Sequence, residues 1–157
     1  GFCLLIDIGG GTVDLVGFVD GMPDGKYAIS DKATLYCINK VNDEMVARLG
    51  ASVPPYFVES FMRNGDYDCP DKYRTEITRC LREYSSDIYD VIRANHYNLD
   101  LTNMVFMGGG ASIIKHFGNN KNKKVQFVTD VCANAKGCEA AVKSIMRANQ
   151  MRKEARA

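Results

Sequence analysis

The chain has 157 residues, of which 46% are hydrophobic, 25% are charged and only four are proline. This length and composition predict one folded domain and exclude a disordered, collagen-like or coiled-coil chain. Twenty basic and nineteen acidic residues leave a net charge of +1, so overall charge gives no reason to bind nucleic acid or an anionic membrane. Any ligand must be recognised locally.

The first forty residues show the pattern of a three-stranded antiparallel meander. Phe2–Ile8 is an apolar run that contains one charge, Asp7, and Val13–Val19 is a second run rich in valine and phenylalanine. The Pro-Asp-Gly sequence at 23–25 is typical of a turn. We therefore expect a third strand over 27–36.

Helical periodicity replaces the strand pattern after residue 40. Asn42 is a suitable cap, with Val41 and Val46 spaced as a hydrophobic staple and Gly50 closing the helix. Two further helices are predicted over 55–64 and 71–95, and together they form a small helical subdomain at about 51–95.

The remaining sequence alternates strands and helices. Strands are predicted over 104–107 and 125–128, with a helix over 111–117 between them and a last helix from Asn134. The order predicts an α/β fold with a mixed sheet, in which an antiparallel meander is followed by helices and βα units.

The cysteines and the apolar runs indicate where the protein is found. The six cysteines form no C-x-x-C pair, and two lie in apolar runs typical of core strands, so we expect reduced thiols and a cytoplasmic location. No apolar run approaches the roughly 18 residues of a membrane span. The chain begins without methionine and enters a strand at once, and we therefore expect a segment of a longer protein.

The first glycine triplet, Gly9-Gly10-Gly11, joins two predicted strands and is followed by Thr12. Three residues without a side chain allow several backbone amides to converge on an anion. Asp7 needs a reason to lie in an apolar strand, and a nearby cation would supply one. Asp7 or Asp14 could hold the hydration shell of Mg²⁺ beside a bound phosphate. The alternative is a tight hairpin that Asp7 caps.

The second triplet, Gly108-Gly109-Gly110, lies between a predicted strand and a helix, a position that favours a nucleotide or another polar ligand. The alternative is close strand–helix packing. Neither triplet is followed by lysine, which excludes a P-loop. A Rossmann fingerprint fits Gly108 and Gly110 but places Ile113 at its third glycine; with Asp130 about twenty residues on, it stays open as a weaker alternative.

Two motifs carry a resemblance to a known superfamily. L-I-D-I-G-G-G-T-V-D at 5–14 resembles the second phosphate motif of the actin, Hsp70 and sugar-kinase superfamily, and V-F-M-G-G-G-A at 105–111 resembles its adenosine motif. Asp130 and A-N-A-K-G at 133–137 resemble a late segment of plasmid-segregation actin-like proteins of the ParM/StbA type. The fold implied is the RNase H-like C-terminal lobe of an actin-like ATPase.

The resemblance also implies ligands and residue roles. It implies ATP or ADP with Mg²⁺, with Asp7 organising the hydration shell of the ion and orienting the attacking water, and Asp14 as a lesser second acid. The residues expected to hold the β- and γ-phosphates are Gly9, Gly10, Gly11 and Thr12. Those expected to line the adenosine side are Gly108, Gly109 and Gly110. Arg74, Arg79 and Arg82 are candidates to flank adenine, and the alternative is an ordinary solvated helix face.

The first phosphate motif of the superfamily and its lobe are absent from this sequence, which therefore supplies half of a cleft. Phosphoryl transfer depends on positioning and on charge stabilisation from several sides, so we expect the isolated chain to be inactive and the parent protein to be an ATPase. By resemblance, the parent forms filaments and moves plasmid DNA through an adaptor protein, without binding DNA itself. An Hsp70-like or sugar-kinase-like domain is the alternative.

The other polar features predict no further site. A basic cluster is more typical of solvated surface than of DNA binding; its members are Lys115, His116, Lys121, Lys123 and Lys124. The two histidines, His96 and His116, lack metal-ligand spacing.

If a nucleotide binds, the bends after Ile8 and after Met107 must meet at one edge of one sheet.

Overall fold

The computed structural model describes residues 1–121, 124–128, 130 and 132–154. Its strands are β1 (Phe2–Ile8), β2 (Val13–Val19), β3 (Met22–Ser30), β4 (Asn103–Met107) and β5 (Val125–Phe127). Its helices are α1 (Thr34–Leu49), α2 (Pro55–Asn64), α3 (Asp71–Ala94), α4 (Ala111–Phe117) and α5 (Ala133–Glu154). In these residues no helix is long and apolar enough to span a bilayer.

The strands form one mixed sheet in the order β3-β2-β1-β4-β5. β1 pairs antiparallel with β2, and β2 with β3, whereas β1 with β4 and β4 with β5 are parallel. This topology confirms the predicted meander followed by βα units. It contradicts the Rossmann alternative, since that unit is built on parallel strands.

One face of the sheet carries the core. Leu4, Ile6 and Ile8 of β1 are fully buried, and alternate residues between them are only half-buried, as expected for a strand whose side chains alternate between two faces. The buried face packs in one cluster with apolar residues of α1, α3 and α4. The ends of β1 and β4 are thereby fixed at one edge of the sheet.

The start of α1 differs from the prediction. The strand expected over 27–36 ends at Ser30, and α1 begins at Thr34, before the expected cap at Asn42. Burial of Cys37, Val41 and Met45 on one helical face outweighs the strand propensity of the residues near Tyr36. Asn42 lies inside the helix, where its side-chain oxygen accepts a 3.1 Å hydrogen bond from the Val53 amide.

The turn between β2 and β3 also differs from the prediction. The turn consists of Asp20 and Gly21, both with positive φ, which is the usual Asp-Gly hairpin geometry. Pro23, Asp24 and Gly25 lie within β3, where the β2–β3 register shifts between Val16 and Phe18. The Pro-Asp-Gly sequence therefore marks an irregular strand segment and not the turn.

The other helices match the prediction closely. α2 and α4 have the predicted bounds, and α3 ends at Ala94, one residue before the expected end. Gly50 and Gly65 close α1 and α2 in the left-handed conformation. α5 begins at Ala133, one residue before the expected start. The helical subdomain at 51–95 stays a prediction.

Candidate functional site

The loop between β1 and β2 is a closed turn built from the first glycine triplet. The Gly9 amide donates a 2.9 Å hydrogen bond to the Thr12 carbonyl oxygen. The Thr12 hydroxyl donates a 2.9 Å hydrogen bond to Oδ2 of Asp14. Asp14 therefore fixes the rotamer of the threonine that closes the turn.

The second triplet lies directly beside the first. β1 and β4 are parallel neighbours with Asp7 opposite Met107, so both strands end at the same edge. Across this edge the Gly110 amide donates a 3.0 Å hydrogen bond to the Ile8 carbonyl oxygen. The two bends thus meet, as nucleotide binding would require, although what they bind stays a prediction.

The beginning of α1 is a third part of this edge. The amides of Thr34 and Leu35 donate hydrogen bonds of 3.1 and 3.2 Å to the carbonyl oxygens of Gly9 and Gly10. These bonds anchor the first loop from outside, because the early amides of a helix have no partner within the helix. This segment was not among the predicted site residues, because residues 34–36 belong to the predicted strand over 27–36 and not to a helix.

The fold requires glycine at two positions of the second triplet. Gly108 has φ +83°, and a Cβ there would lie 2.6 Å from the Ile8 carbonyl oxygen and in contact with Oδ1 of Asp7. A Cβ on Gly110 would overlap the side chain of Ile8. Close packing, which was the alternative explanation, therefore accounts for these two glycines.

Three other glycines are not explained by packing. An added Cβ at Gly10, Gly11 or Gly109 would meet no atom within 4 Å, and none of the three has positive φ. All three lie at the edge where the loops meet. Their missing side chains leave a space above the loops that a closely approaching ligand can occupy.

A cleft of about 520 Å³ opens beside Gly108 and Gly109. It is bounded by the start of α1, by α2 and by α4. Its lining consists of Thr34, Ile38, Glu59, Met62, Arg63, Gly108, Gly109, Ser112, Lys115 and His116. The His116 ring lies 3.2 Å (Nε2) from the Arg63 carbonyl oxygen, which joins α4 to the end of α2.

No protein-family model matches the sequence, and no curated protein matches it. The fold, in contrast, matches solved structures. MreB 5 of Spiroplasma citri bound to AMPPNP superposes with a TM-score of 0.73 at 17% identity, over 95% of this chain and 55% of that one. The archaeal actin homolog Ta0583 gives a TM-score of 0.68 at 20% identity, over 92% and 49% of the two chains.

ParM from Bacillus thuringiensis with ATP gives a TM-score of 0.58 at 15% identity, over 83% of this chain and 42% of that one. The chain thus spans about half of the length of these structures. It has the fold of an actin-like lobe. The likeness extends to MreB and ParM alike, so the fold by itself does not select the plasmid-segregation type.

The actin-like lobe does not bring the three candidate arginines to its glycine loops. Arg74, Arg79 and Arg82 border a separate groove on α3 with Thr75, Thr78 and Glu83. Arg79 donates hydrogen bonds to Glu44, Glu76 and Glu83, and these bonds raise its pKa. Arg79 joins α3 to α1 through its bond to Glu44, and the adenine-flanking role stays a prediction.

The side chains that do face the cleft beside the glycines were mostly missed. Glu59 and Arg63 on α2 carry no local motif, and only the packing of α2 against α4 brings them near Gly109. Ser112 follows Gly109 by three residues and His116 follows Ser112 by four, a spacing that places both on one face of α4. From the sequence, that spacing could have indicated that both side chains face the same site as Gly109. The basic-cluster interpretation instead treated His116 and Lys115 as solvated surface.

Two carboxylates lie on the strands that the first glycine triplet joins. Asp7 and Asp14 are cross-strand partners on β1 and β2, and Oδ1 of Asp7 is buried. Among the described residues no three His, Cys, Asp or Glu side chains form a metal-binding group. Mg²⁺ keeps several waters and is often held through one or two carboxylates, so this pair fits a hydrated Mg²⁺.

The late segment that includes Asp130 organises the start of α5. The Cys132 amide donates a 2.9 Å hydrogen bond to Oδ1 of Asp130, and the Lys136 ammonium forms an ion pair with Oδ2. The bond from Lys136 lowers the pKa of Asp130. Lys123 of the basic cluster and the Asn134 side chain lie outside the described residues.

Proposed function

We propose that the chain is the C-terminal nucleotide-binding lobe of a filament-forming actin-like ATPase, and that it binds ATP or ADP with Mg²⁺ across the paired glycine loops. The observation that carries this proposal is the open space above Gly10, Gly11 and Gly109, at the edge where the two loops are hydrogen-bonded to each other. Packing gives no reason for glycine at these three positions.

The loop between β1 and β2 supplies the phosphate side. The β- and γ-phosphates lie against Gly9, Gly10, Gly11 and Thr12, where the backbone amides of Gly10 and Gly11 donate to phosphate oxygens. Asp14 supports this role indirectly, since it accepts the Thr12 hydroxyl and so holds the turn. Asp7 holds the water shell of Mg²⁺ and orients the attacking water.

The cleft between α2 and α4 supplies the nucleoside side. Gly108 and Gly109 form its floor, and Gly110 holds the floor against β1. Glu59 offers an acceptor for ribose hydroxyls, and Arg63 and Lys115 offer cationic side chains to the base and the phosphates. Bound Mg²⁺ would neutralise phosphate charge during transfer.

Catalysis needs a second lobe in this proposal. The described loops contact a phosphate from one side only, and phosphoryl transfer requires charge stabilisation from several sides. The isolated chain is therefore expected to bind nucleotide weakly and to show no steady ATP turnover. Turnover by the isolated chain at the rate of a complete actin-like ATPase would contradict this.

The assembly role rests on the neighbouring structures and on the late motif. A polymerisation-blocked ParM mutant and the actin-like protein Alp7A share the fold over 91% and 99% of this chain. We propose that the full-length protein forms filaments and segregates plasmid DNA through an adaptor. Nucleotide-dependent light scattering by the full-length protein supports this; nucleotide binding without scattering favours the Hsp70-like or sugar-kinase-like alternative.

A matched pair of glycine substitutions tests nucleotide binding. Gly10 and Gly137 both have open space around an added Cβ, but only Gly10 lies at the proposed phosphate position. The rise in thermal midpoint with Mg-ATP up to millimolar concentration reports binding to the native state. We expect Gly10→Ala to weaken binding about tenfold, equivalent to about 1.4 kcal/mol, and Gly137→Ala to leave it unchanged. Equal binding by the two variants, or no rise for the parent chain, contradicts the proposal.

A further inference from the structure

A groove of about 430 Å³ lies between α3 and the end of α4. It is separate from the cleft at the glycine loops, since no described residue lines both. Its exposed lining residues are Arg82, Ser86, Arg93 and Asn119. We call it the arginine groove.

The floor of the arginine groove is closely packed and hydrogen-bonded within itself. The Tyr89 hydroxyl donates a 2.7 Å hydrogen bond to Oδ1 of Asn120, and Nδ2 of Asn120 donates a 2.7 Å hydrogen bond to the Ile114 carbonyl oxygen. An added Cβ on Gly118 would lie 2.6 Å from the Tyr89 hydroxyl oxygen, so α3 and α4 are in close contact here. Because these floor groups bond to one another, the exposed side chains are the ones left to hold a ligand.

Arg82 is the main source of positive charge in this groove. Among the described residues it forms no ion pair and no hydrogen bond through its side chain. The two carboxylates nearest to it in the sequence are bonded to other cations, Glu83 to Arg79 and Asp87 to Lys40. The guanidinium of Arg82 therefore leaves an excess of positive charge at one end of the groove.

Arg93 supplies a second cation on the same face of α3. It follows Arg82 by eleven residues, which is close to three helical turns and places the two about 16 Å apart along the helix axis. Arg93 forms a 2.7 Å ion pair with Asp90, in which both side chains are more than half exposed. Exposed ion pairs of this kind contribute little stability, so a carboxylate of a ligand can replace Asp90.

We propose that the arginine groove binds an extended acidic peptide segment of another protein, with acidic side chains about five residues apart. An extended chain rises about 3.3 Å per residue, so about five residues span the distance from Arg82 to Arg93. Each guanidinium can donate two parallel hydrogen bonds to a carboxylate. Between them, Ser86 and Asn119 offer donors and acceptors to the peptide backbone.

Other anions fit the arginine groove less well. A single phosphate is too small to reach both arginines across about 16 Å. Single-stranded nucleic acid needs aromatic side chains on which its bases can stack, whereas Tyr89 is only 7% exposed and Phe117 is half-buried. An acidic peptide is therefore the class of ligand that this groove favours.

The spacing of the two arginines gives the first test. Two fluorescein-labelled peptides contain the same glycine, serine and glutamate residues, with the glutamates either in two pairs centred five positions apart or in one contiguous run. Fluorescence anisotropy with the full chain, at low salt, should show about fivefold tighter binding of the spaced peptide. Equal binding overturns the proposal. A thymidine oligonucleotide of the same charge that binds as tightly also overturns it, because the groove would then be a general site for anions.

Three charge-changing variants locate the binding of the spaced peptide. Arg82→Gln should weaken it about tenfold, whereas Lys26→Gln removes an exposed cation on β3 and should leave it unchanged. Asp90→Asn removes the carboxylate that competes for Arg93 and should strengthen binding about threefold, with Asp43→Asn on α1 as its matched control.

Equal losses in Arg82→Gln and Lys26→Gln overturn the proposal, as does equal binding by Asp90→Asn and Asp43→Asn. All the substituted side chains are exposed, and thermal midpoints check that each variant is folded. No step of either experiment uses nucleotide, so the result is independent of the proposed function.

Discussion

The Gly110 amide and the Ile8 carbonyl oxygen form a 3.0 Å hydrogen bond across the end of the sheet. This bond joins the β4–α4 bend to the β1–β2 bend, although the two lie about a hundred residues apart in sequence. It holds a candidate phosphate loop and a candidate nucleoside cleft in one fixed relationship. Substitutions near this bond should therefore separate residues that hold the fold from residues that contact a ligand.

Gly108→Ala should destabilise the fold strongly. Its φ of +83° strains any residue with a Cβ, and the new methyl would press on Asp7 and on the Ile8 carbonyl oxygen. We expect a loss of about 3 kcal/mol in the free energy of unfolding, measured by urea denaturation. Gly109→Ala is the matched control, because its Cβ would meet no atom within 4 Å. A Gly108→Ala variant as stable as the control would show that the bend is not tightly packed.

Stability should fall steeply above pH 9 because of buried thiol and phenol groups. Burial raises the pKa of the Cys37 thiol to about 12, from an ordinary value of 9.0. Between these values the unfolded chain releases the proton and the native chain retains it, so stability is complete below pH 9 and declines as pH rises toward 12. Burial raises the pKa of Tyr84 as well.

The contribution of Cys37 can be isolated by replacing it. Cys37→Ala should reduce the slope of unfolding free energy against pH by up to about 1.4 kcal/mol per pH unit in this range. Cys132→Ala removes an exposed thiol and serves as the control. Urea midpoints measured from pH 8 to 11 give both slopes. Identical slopes for the parent chain and Cys37→Ala would contradict burial of this thiol.

Arg79 should stabilise the contact between α1 and α3 and have no direct role at the cleft. Glu44 accepts hydrogen bonds of 2.8 Å from Arg48 and 2.7 Å from Arg79, which hold its pKa below the usual range. That stabilisation is complete above the unfolded pKa of glutamate and is lost as pH falls through the lower native pKa. Arg79→Met should lower the unfolding midpoint at neutral pH. As the pH is lowered, the midpoint of this variant should fall less than that of the unsubstituted chain.

Salt and nucleotide provide the controls for Arg79. The difference between Arg79→Met and the parent chain should shrink in 1 M NaCl, because salt at about this concentration screens exposed charges within roughly 3 Å. Nucleotide affinity should not change, since Arg79 borders a groove separate from the glycine loops. A selective loss of affinity would support the adenine-flanking role for Arg79.

Local signals explain which elements the sequence predicts correctly. β1, α2 and α4 are bounded by glycine or proline and α3 begins after Pro70, so these limits follow from short-range chemistry. The start of α1 was missed because residues 34–38 have strand propensity, and only burial of Cys37 and Val41 against the sheet decides for a helix. Tertiary packing overrides propensity at this point.

The candidate site likewise has parts that the sequence predicts and parts that it does not. The two glycine loops were found because each is a contiguous motif at the end of an apolar strand. Glu59 and Arg63 were not found, because their approach to Gly109 depends on α2 packing against α4, which lies about fifty residues later. A single sequence contains no local pattern that indicates such a contact.

Asp7 and Asp14 should affect Mg²⁺ and phosphate binding differently. They are cross-strand partners, but Asp14 accepts the Thr12 hydroxyl at 2.9 Å, whereas Asp7 is the carboxylate assigned to the hydrated ion. The measured quantity is the ratio of ADP dissociation constants without and with Mg²⁺. Asp7→Asn should bring that ratio close to one, because an amide attracts a hydrated cation far less than a carboxylate does.

Asp14→Asn should leave the same ratio near that of the parent chain, since its amide oxygen still accepts the Thr12 hydroxyl. Asp14→Ala removes that acceptor. Its effect on the ADP dissociation constant and that of Thr12→Val should therefore not add in a double-mutant cycle. Asp43→Asn changes an exposed carboxylate on α1 and controls for net charge. If Asp7→Asn kept the parent ratio while Asp14→Asn lost it, the Mg²⁺ role would belong to Asp14, and the hydroxyl contact would be incidental.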